Sequence, residues 1–303
     1  MAVRKQSWFK QQSRIALVFG IGGVLALYNP GAFAQITPDA TLGAEGSVVT
    51  PNLNVRDLPA TWIEGGATRG ASLFHSFSDF NVEEGLRVYF ANPVGIENIL
   101  TRVTGNHISH ILGTLGVDGT ANLFLLNPNG IIFGANARLE IGGSFFASTG
   151  SSFKFPDGSE FSATNPQLPP LLTINLTPGV QWGASQPRGT ITNAGNLTVG
   201  SGETLTLFGS TVTSNGSLIS PGGTVEVLGE RVGLLDNARI DVSSETGGGT
   251  ILIGGDFQGE GRIPNAVQTF VGPQVTLNAD ALTDGNGGNV IVWADETTRF
   301  YGA

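Results

Sequence analysis

Short runs with apolar residues two apart, bounded by glycine, asparagine and aspartate, recur through the C-terminal half of the chain. One kind comprises Leu197-Thr198-Val199, Leu218-Ile219, Ile240-Asp241-Val242 and Val275-Thr276-Leu277. A second comprises Leu205-Thr206-Leu207, Val225-Glu226-Val227, Ile251-Leu252-Ile253 and Val290-Ile291-Val292, with the glycine pairs 222–223, 248–249 and 287–288 ahead of three of them. Runs this short with a period of two predict strands, not helices. Runs of the first kind begin 21, 22 and 35 residues apart, the longest interval carrying an insertion around Phe257 to Phe270. A strand–turn wording repeated at about twenty residues is what one turn of a solenoid requires, whereas a barrel or sandwich has no reason to repeat it. The predicted architecture is therefore all-β: a right-handed parallel β-helix with two or three short strands per coil, N-terminal capping strands and hairpins outside the coil. Each coil turns its aliphatic residues inward and pairs with the next at a spacing of about 4.8 Å. An open solenoid end exposes unpaired backbone, so the first coils need a cap.

Residues from Gln35 to about Asn122 read as that cap, with strand runs such as Ser72-Leu73-Phe74-His75-Ser76-Phe77 and Leu86-Arg87-Val88-Tyr89-Phe90. Ile96 to Val103 is a weak helix candidate that reads equally as a strand. The proline-rich stretch 165–170 reads as a loop leaving the coil, after which Leu171 to Leu176 resumes a strand pattern. Between the apolar runs Leu123 to Leu126 and Ile131 to Phe133 stands Asn127-Pro128-Asn129-Gly130. Proline presets the first central φ of a tight turn, asparagine suits the second and glycine follows. Downstream, Asn136-Ala137-Arg138-Leu139-Glu140-Ile141 recurs almost word for word as Asn237-Ala238-Arg239-Ile240-Asp241-Val242, which places the turn inside the repeating coil.

The first 34 residues are of another character. Arg4, Lys5, Lys10 and Arg14 precede an apolar run from Ile15 to Leu27, and Ala32-Phe33-Ala34 stands before Gln35. This predicts a secretory signal peptide over residues 1–34, cleaved between Ala34 and Gln35 by the general secretion machinery. The apolar run has thirteen residues, short of the roughly 20 that span a bilayer. Without this leader the chain keeps eleven basic residues against twenty-four acidic ones, a net charge of −13, and Lys154 is its one lysine. No basic stripe is left for a nucleic-acid backbone. The chain has no cysteine, so stability rests on burial and backbone pairing, and nothing cross-links it in an oxidising compartment. Its 45 glycines among 303 residues punctuate β-branched runs in a chain of low charge, which argues against disorder.

The segment from Ala121 to Ser148, with Ala91 to Leu100 and Ile111-Leu112-Gly113 upstream, resembles the N-terminal domain of filamentous haemagglutinins, also called the two-partner secretion domain. The resemblance is closest over roughly Ile36 to Ser162. Gly247 to Asp256 and Gly285 to Tyr301 look like the haemagglutinin-type repeats that follow it. It implies residues 35–185 as the secretion domain, forming the cap and first coils, and 186–303 as further β-helix repeats. Where relatives carry a first Asn-Pro-Asn-Leu motif, this chain has Asn92-Pro93-Val94-Gly95. The resemblance further implies an adhesin-like passenger, exported through the periplasm and recognised by an outer-membrane β-barrel transporter with periplasmic modules. Asn127, Pro128, Asn129 and Gly130 would be the recognition or turn motif, and Asn92 to Gly95 a weaker second one. A cell-surface receptor or glycan is expected as a further partner of such a passenger. The sequence stops within a repeat, so a fragment or a shortened member is expected.

Other chemistry is thin. His107 and His110 stand three apart, a spacing that shares one face only on a helix, and no cofactor or metal is expected. The run from Asp280 to Asn289 reads as a glycine turn rather than a calcium loop. Parallel β-helices also carry polysaccharide-acting enzymes, but Asp236, Asp241 and Asp256, with Arg231 and Arg239, fall on different rungs and corners, so no catalysis is expected. An autonomous carbohydrate-binding module would use aromatics such as Trp182, Trp293 and Tyr301, most of which are expected to pack on the coil instead.

Overall fold

The computed structural model describes residues 35–170, 179–181, 189–260 and 263–303. The leader with Ala34, the run from Leu171 to Leu176, Trp182 and the boundary between 185 and 186 lie outside the described residues. Among these residues the chain is a parallel β-helix with two short 3-10 turns, Gly43–Glu45 and Phe257–Gly259. The two kinds of strand expected from the repeat are present and stack on their own kind. Leu197, Leu218, Ile240 and Leu277 pair in succession on one face, and Leu205, Val225, Ile251 and Val290 on another. Asn98–Val103, left open between helix and strand, is a strand.

Two features differ from the sequence reading. A third face, within the two or three strands expected per coil but not laid out from the repeat, is made of Ser109–Ile111, Gly130–Phe133, Thr190–Asn193, 211–214, 231–234, Gln268–Val271 and Thr297–Phe300. It was hidden because Thr204–Ser214 and Thr224–Leu234 run unbroken round a corner, so no turn signal separates their halves. Gln268–Val271 belongs to this face, and the insertion therefore ends before it. The cap is also shorter than residues 35 to about 122, since Ser72–Phe80 already pairs in parallel with Asn98–Val103 and forms the first coil. The cap proper lies before it. Ile36–Pro38 and Ala67–Arg69 run antiparallel to Ser72–Phe80, and the hairpin Ser47–Val55/Leu58–Gly65 covers the edge of Arg87–Ala91. Pro51 and the register shift beside it, with Asn52 at φ +58°, make the outer edge of that hairpin a poor template for further strands.

Parallel register aligns like residues along the coil axis. Leu73, Ile99, Leu123, Phe145, Leu205, Val225 and Ile251 form one buried column, in which each residue packs on its equivalents one coil away. The next inward column begins His75, Thr101, Leu125, Ala147 and Leu207. His75 is thus a fully buried imidazole on the axis of the first coil. Its Nδ1 meets Ser47 Oγ at 3.0 Å, while its Nε2 and Thr101 Oγ1 have no protein partner. Burial pulls its pKa down to about 3, so it is held neutral.

Outside the coil, Ser152–Lys154 pairs antiparallel with Glu160–Ser162 and Gly179–Gln181. Phe153, Phe155 and Phe161 from this element pack on the outward side chains of Phe74, Leu100, Phe124 and Leu126, forming a second apolar core. The Phe74 and Phe161 rings meet edge to face at 4.9 Å.

Arg102 ties these layers together. Its guanidinium, fully buried, lies 4.0 Å over the Phe161 ring. It donates to Ser76 Oγ (2.9 Å), Thr41 Oγ1 (2.8 Å), Ser162 O (2.9 Å) and Gln167 O (2.9 Å), which belong to the first coil, the cap, the outer hairpin and the proline-rich loop. The hydroxyls of Thr41 and Ser76 donate onward to Asp39 at 2.5 and 2.8 Å. Burial works to raise the Asp39 carboxyl, but hydrogen bonds from Thr104, Thr41 and Ser76 outweigh it and hold the group below the usual carboxylate range. Burial also lowers Arg102, to about 10 against the attraction of Asp39, which leaves it charged at neutral pH.

Arg102→Ala removes the partner cation of Asp39 and leaves the buried Ser162 carbonyl without its donor, so it is expected to lower unfolding free energy by about 3–5 kcal/mol; a urea midpoint within error of the parent would refute the role. For His75, the unfolded chain takes up a proton near pH 6.5 and the folded chain only near pH 3. Its contribution is complete above pH 6.5 and is lost as pH falls through that window, up to about 5 kcal/mol. His75→Leu should flatten the stability profile there, as followed by urea denaturation from pH 7 to pH 3; an unchanged slope contradicts it.

Candidate functional site

Asn127 follows the strand Asn122–Leu126, and Gly130 opens Gly130–Phe133, so Asn127 to Gly130 turns the chain from one coil face to the next. Gly130 N donates to Asn127 O at 3.2 Å, closing the turn. The Asn127 side chain is fully buried and uses all its hydrogen-bonding capacity. Its Nδ2 donates to His107 O (3.0 Å) and Ser109 Oγ (2.9 Å) in the preceding coil, and its Oδ1 accepts from Asn129 N and Nδ2, both at 3.0 Å. Asn129 Nδ2 also reaches back to Gly105 O at 2.8 Å. On the other side the fit is closer still, because a Cβ on Gly189 would stand 2.5 Å from the Pro128 carbonyl oxygen. The four residues therefore clamp three coils at one corner.

The second motif sits at a different corner, between Arg87–Ala91 and Asn98–Val103. Asn92 Oδ1 accepts from Thr120 N and Ala121 N, both at 3.0 Å, and its Nδ2 donates to Ile96 O at 2.9 Å. Ile96 N closes the turn on Pro93 O at 3.1 Å, with Gly95 at φ +84°. The two asparagines act alike, as side-chain bridges to a neighbouring coil. Their surroundings differ: Val94 is wholly exposed at the tip of its corner, whereas Asn127 has no accessible surface.

The remaining candidates are scattered. His107 is 77% exposed and meets Asp79 Oδ1 at 2.6 Å, while His110 and His75 lie apart from it, and no group of three metal-ligating side chains occurs among the described residues. Asp241 pairs with Arg239 and accepts from Ser243 N at 2.9 Å, Asp256 caps Phe257 N at 2.7 Å, and Asp236 occupies a corner at φ +51°. The loop 280–289 turns on itself, Asp284 Oδ1 accepting from Gly285 N at 2.8 Å. Trp293 Nε1 donates to Asp295 Oδ1 at 3.1 Å, and Tyr301 packs on Phe270 at 5.9 Å. Nothing in the sequence singled out Arg102. Its partners lie 26 to 65 residues away, and its neighbours Ile99, Leu100, Thr101 and Val103 give only a strand signal.

The family model described as the TPS secretion domain matches residues 34–292. The crystal structure of the HMW1 secretion domain from Haemophilus influenzae is similar over 85% of this chain and 98% of that one, at 18% identity and a TM-score of 0.39. No curated protein matches the chain.

Removing the buried amide should cost more than removing its outer neighbour. Asn127→Ala leaves the His107 carbonyl and the Asn129 amide without partners and is expected to lower unfolding free energy by about 2–3 kcal/mol, against about 1 kcal/mol for Asn129→Ala. Urea denaturation of the two variants checks the order, and equal, negligible losses would show that this corner does not hold the coils.

Proposed function

The chain belongs to the TPS secretion domain family, and we propose that it is the export-directing part of an adhesin-like passenger carrying a cleavable leader up to Ala34. Membership of this family implies a protein exported across the outer membrane with an outer-membrane transporter as its partner. The finer reading is that the periplasmic modules of that transporter recognise the strand-rich segment containing Asn127 to Gly130 before the coil closes. What supports this order of events is the burial of Asn127. A side chain with no accessible surface is readable only while the chain is extended, when its backbone can also add to an exposed sheet edge. Once outside, coils that stack on one another resist being drawn back.

On this reading Asn92 to Gly95 is the motif available after folding, through the exposed Val94. A division near residue 185, with the recognition segment before it and further repeats after it, completes the proposal. The alternative reading as a β-helix polysaccharide-acting enzyme finds no support in Asp236, Asp241 and Asp256, which lie respectively at a corner, in a strand and at the start of a 3-10 turn.

The test is secretion of the full chain from a bacterial host with an outer membrane, with and without the partner transporter. Export is expected only with the partner, to fall several-fold in Asn127→Ala, and to survive Val94→Asp, which leaves the folded coil intact. Equal export with and without the partner would overturn the proposal. Loss of export in Val94→Asp alone would move recognition to the folded corner.

A further inference from the structure

On the third face, away from both asparagine corners, the outward side chains of the last coils enclose an open groove of about 330 Å³. Register lays out its walls. One outward column runs Thr211, Arg231, Gln268 and Thr297, and its neighbour runs Thr213, Gly233, Phe270 and Arg299. Gly233 leaves a gap between Thr213 and Phe270. A Cβ placed there would make ordinary contact with Thr213 Cγ2 at 3.6 Å and with Leu235, so a side chain at this position is tolerated without a clash. The Phe270 ring is half-buried and backed by Tyr301 at 5.9 Å.

Among the described residues three exposed arginines stand outside ion pairs, Arg138 on another face and two in this groove. Beyond the leader the chain is strongly acidic, and Arg56, Arg69, Arg87 and Arg239 each stand within ion-pair distance of a carboxylate. Arg231 and Arg299 both face the groove, both are exposed, and neither has a carboxylate partner among the described residues. They stand two coils apart, about 10 Å along the axis at the usual strand spacing. Guanidinium forks bind carboxylates and sulfates bidentately. A flat aromatic ring between them suits the apolar face of a sugar, and Gln268 with the threonine hydroxyls supplies donors and acceptors for its hydroxyls.

We propose that this groove is a binding site for a short acidic oligosaccharide laid along the coil axis, with anionic groups at Arg231 and Arg299 and a sugar ring against Phe270. Two cations in an acidic chain are too few to hold a nucleic-acid backbone, whose affinity scales with the number of phosphates neutralised. The inference stands independently of how the chain is exported, because it concerns a face of the folded protein.

The test uses the folded chain purified without its leader, with a galacturonic acid tetramer as probe and a neutral galactose tetramer as comparator, followed by isothermal titration calorimetry at low and physiological salt. Saturable binding of the acidic tetramer is expected, at least tenfold tighter than the neutral one. Arg231→Gln and Arg299→Gln should each weaken it about tenfold, while Arg138→Gln on another face should not. Gly233→Val keeps both charges and suits a strand, yet fills the gap, and should weaken binding to a similar degree. No binding of the acidic tetramer, equal binding of the neutral one, or binding that survives Gly233→Val while responding to charge alone would each overturn the proposal. Circular dichroism and urea midpoints of every variant confirm that each remains folded.

Discussion

Everything in this molecule depends on the parallel register between successive coils. A coil of about twenty residues buries too little surface to fold alone, and its strands satisfy their backbone groups only by pairing with the coil before and the coil after. Because the register is in step, Leu73, Ile99, Leu123, Phe145, Leu205, Val225 and Ile251 fall into one column, and the hydrophobic contacts reinforce the same alignment that the hydrogen bonds impose. A slip of one residue would turn that whole column out to solvent. The asparagine corners extend the same logic to places where the strands stop. Asn127 and Asn92 use side-chain amides to bridge coils where backbone pairing is interrupted.

A structure built by stacking needs a beginning, and the cap supplies it through chemistry that the coils avoid. The coil interior is almost wholly apolar, but at the first two coils it meets His75, Thr101 and, on the outer side, the buried Arg102. Arg102 draws partners from the cap, the first coil, the outer hairpin and the proline-rich loop, so its charge is compensated only when all four have arrived. Until then a buried guanidinium stays costly. The start of the solenoid is thereby closed cooperatively, with little tolerance for a half-assembled cap.

These properties suit a protein that crosses an outer membrane. A chain without cysteine cannot be locked by disulfides on the way. Local coil-to-coil contacts let folding propagate from one end, and the strand-rich segment around Asn127 buries its side chains only when the neighbouring coils are in place. The same stacking leaves outward faces for other duties: the outer hairpin covers part of one, and the groove around Phe270 occupies another.

The sequence by itself determined the fold class, two of the three faces and the position of the Asn127 turn. These were legible because they are written in local alternation, in turn residues at fixed offsets and in a repeated period. Tertiary structure alone decided the rest. The third face is invisible because Thr204–Ser214 and Thr224–Leu234 round a corner without a turn signal, and the short cap because Ser72–Phe80 looks no different before and after it finds its parallel partner. Arg102 with Asp39, and Arg231 with Arg299, acquire meaning only through neighbours 63 and 68 positions away. Distance along the chain carries no such information, since what brings these side chains together is the winding of the coil and not any pattern in which they stand.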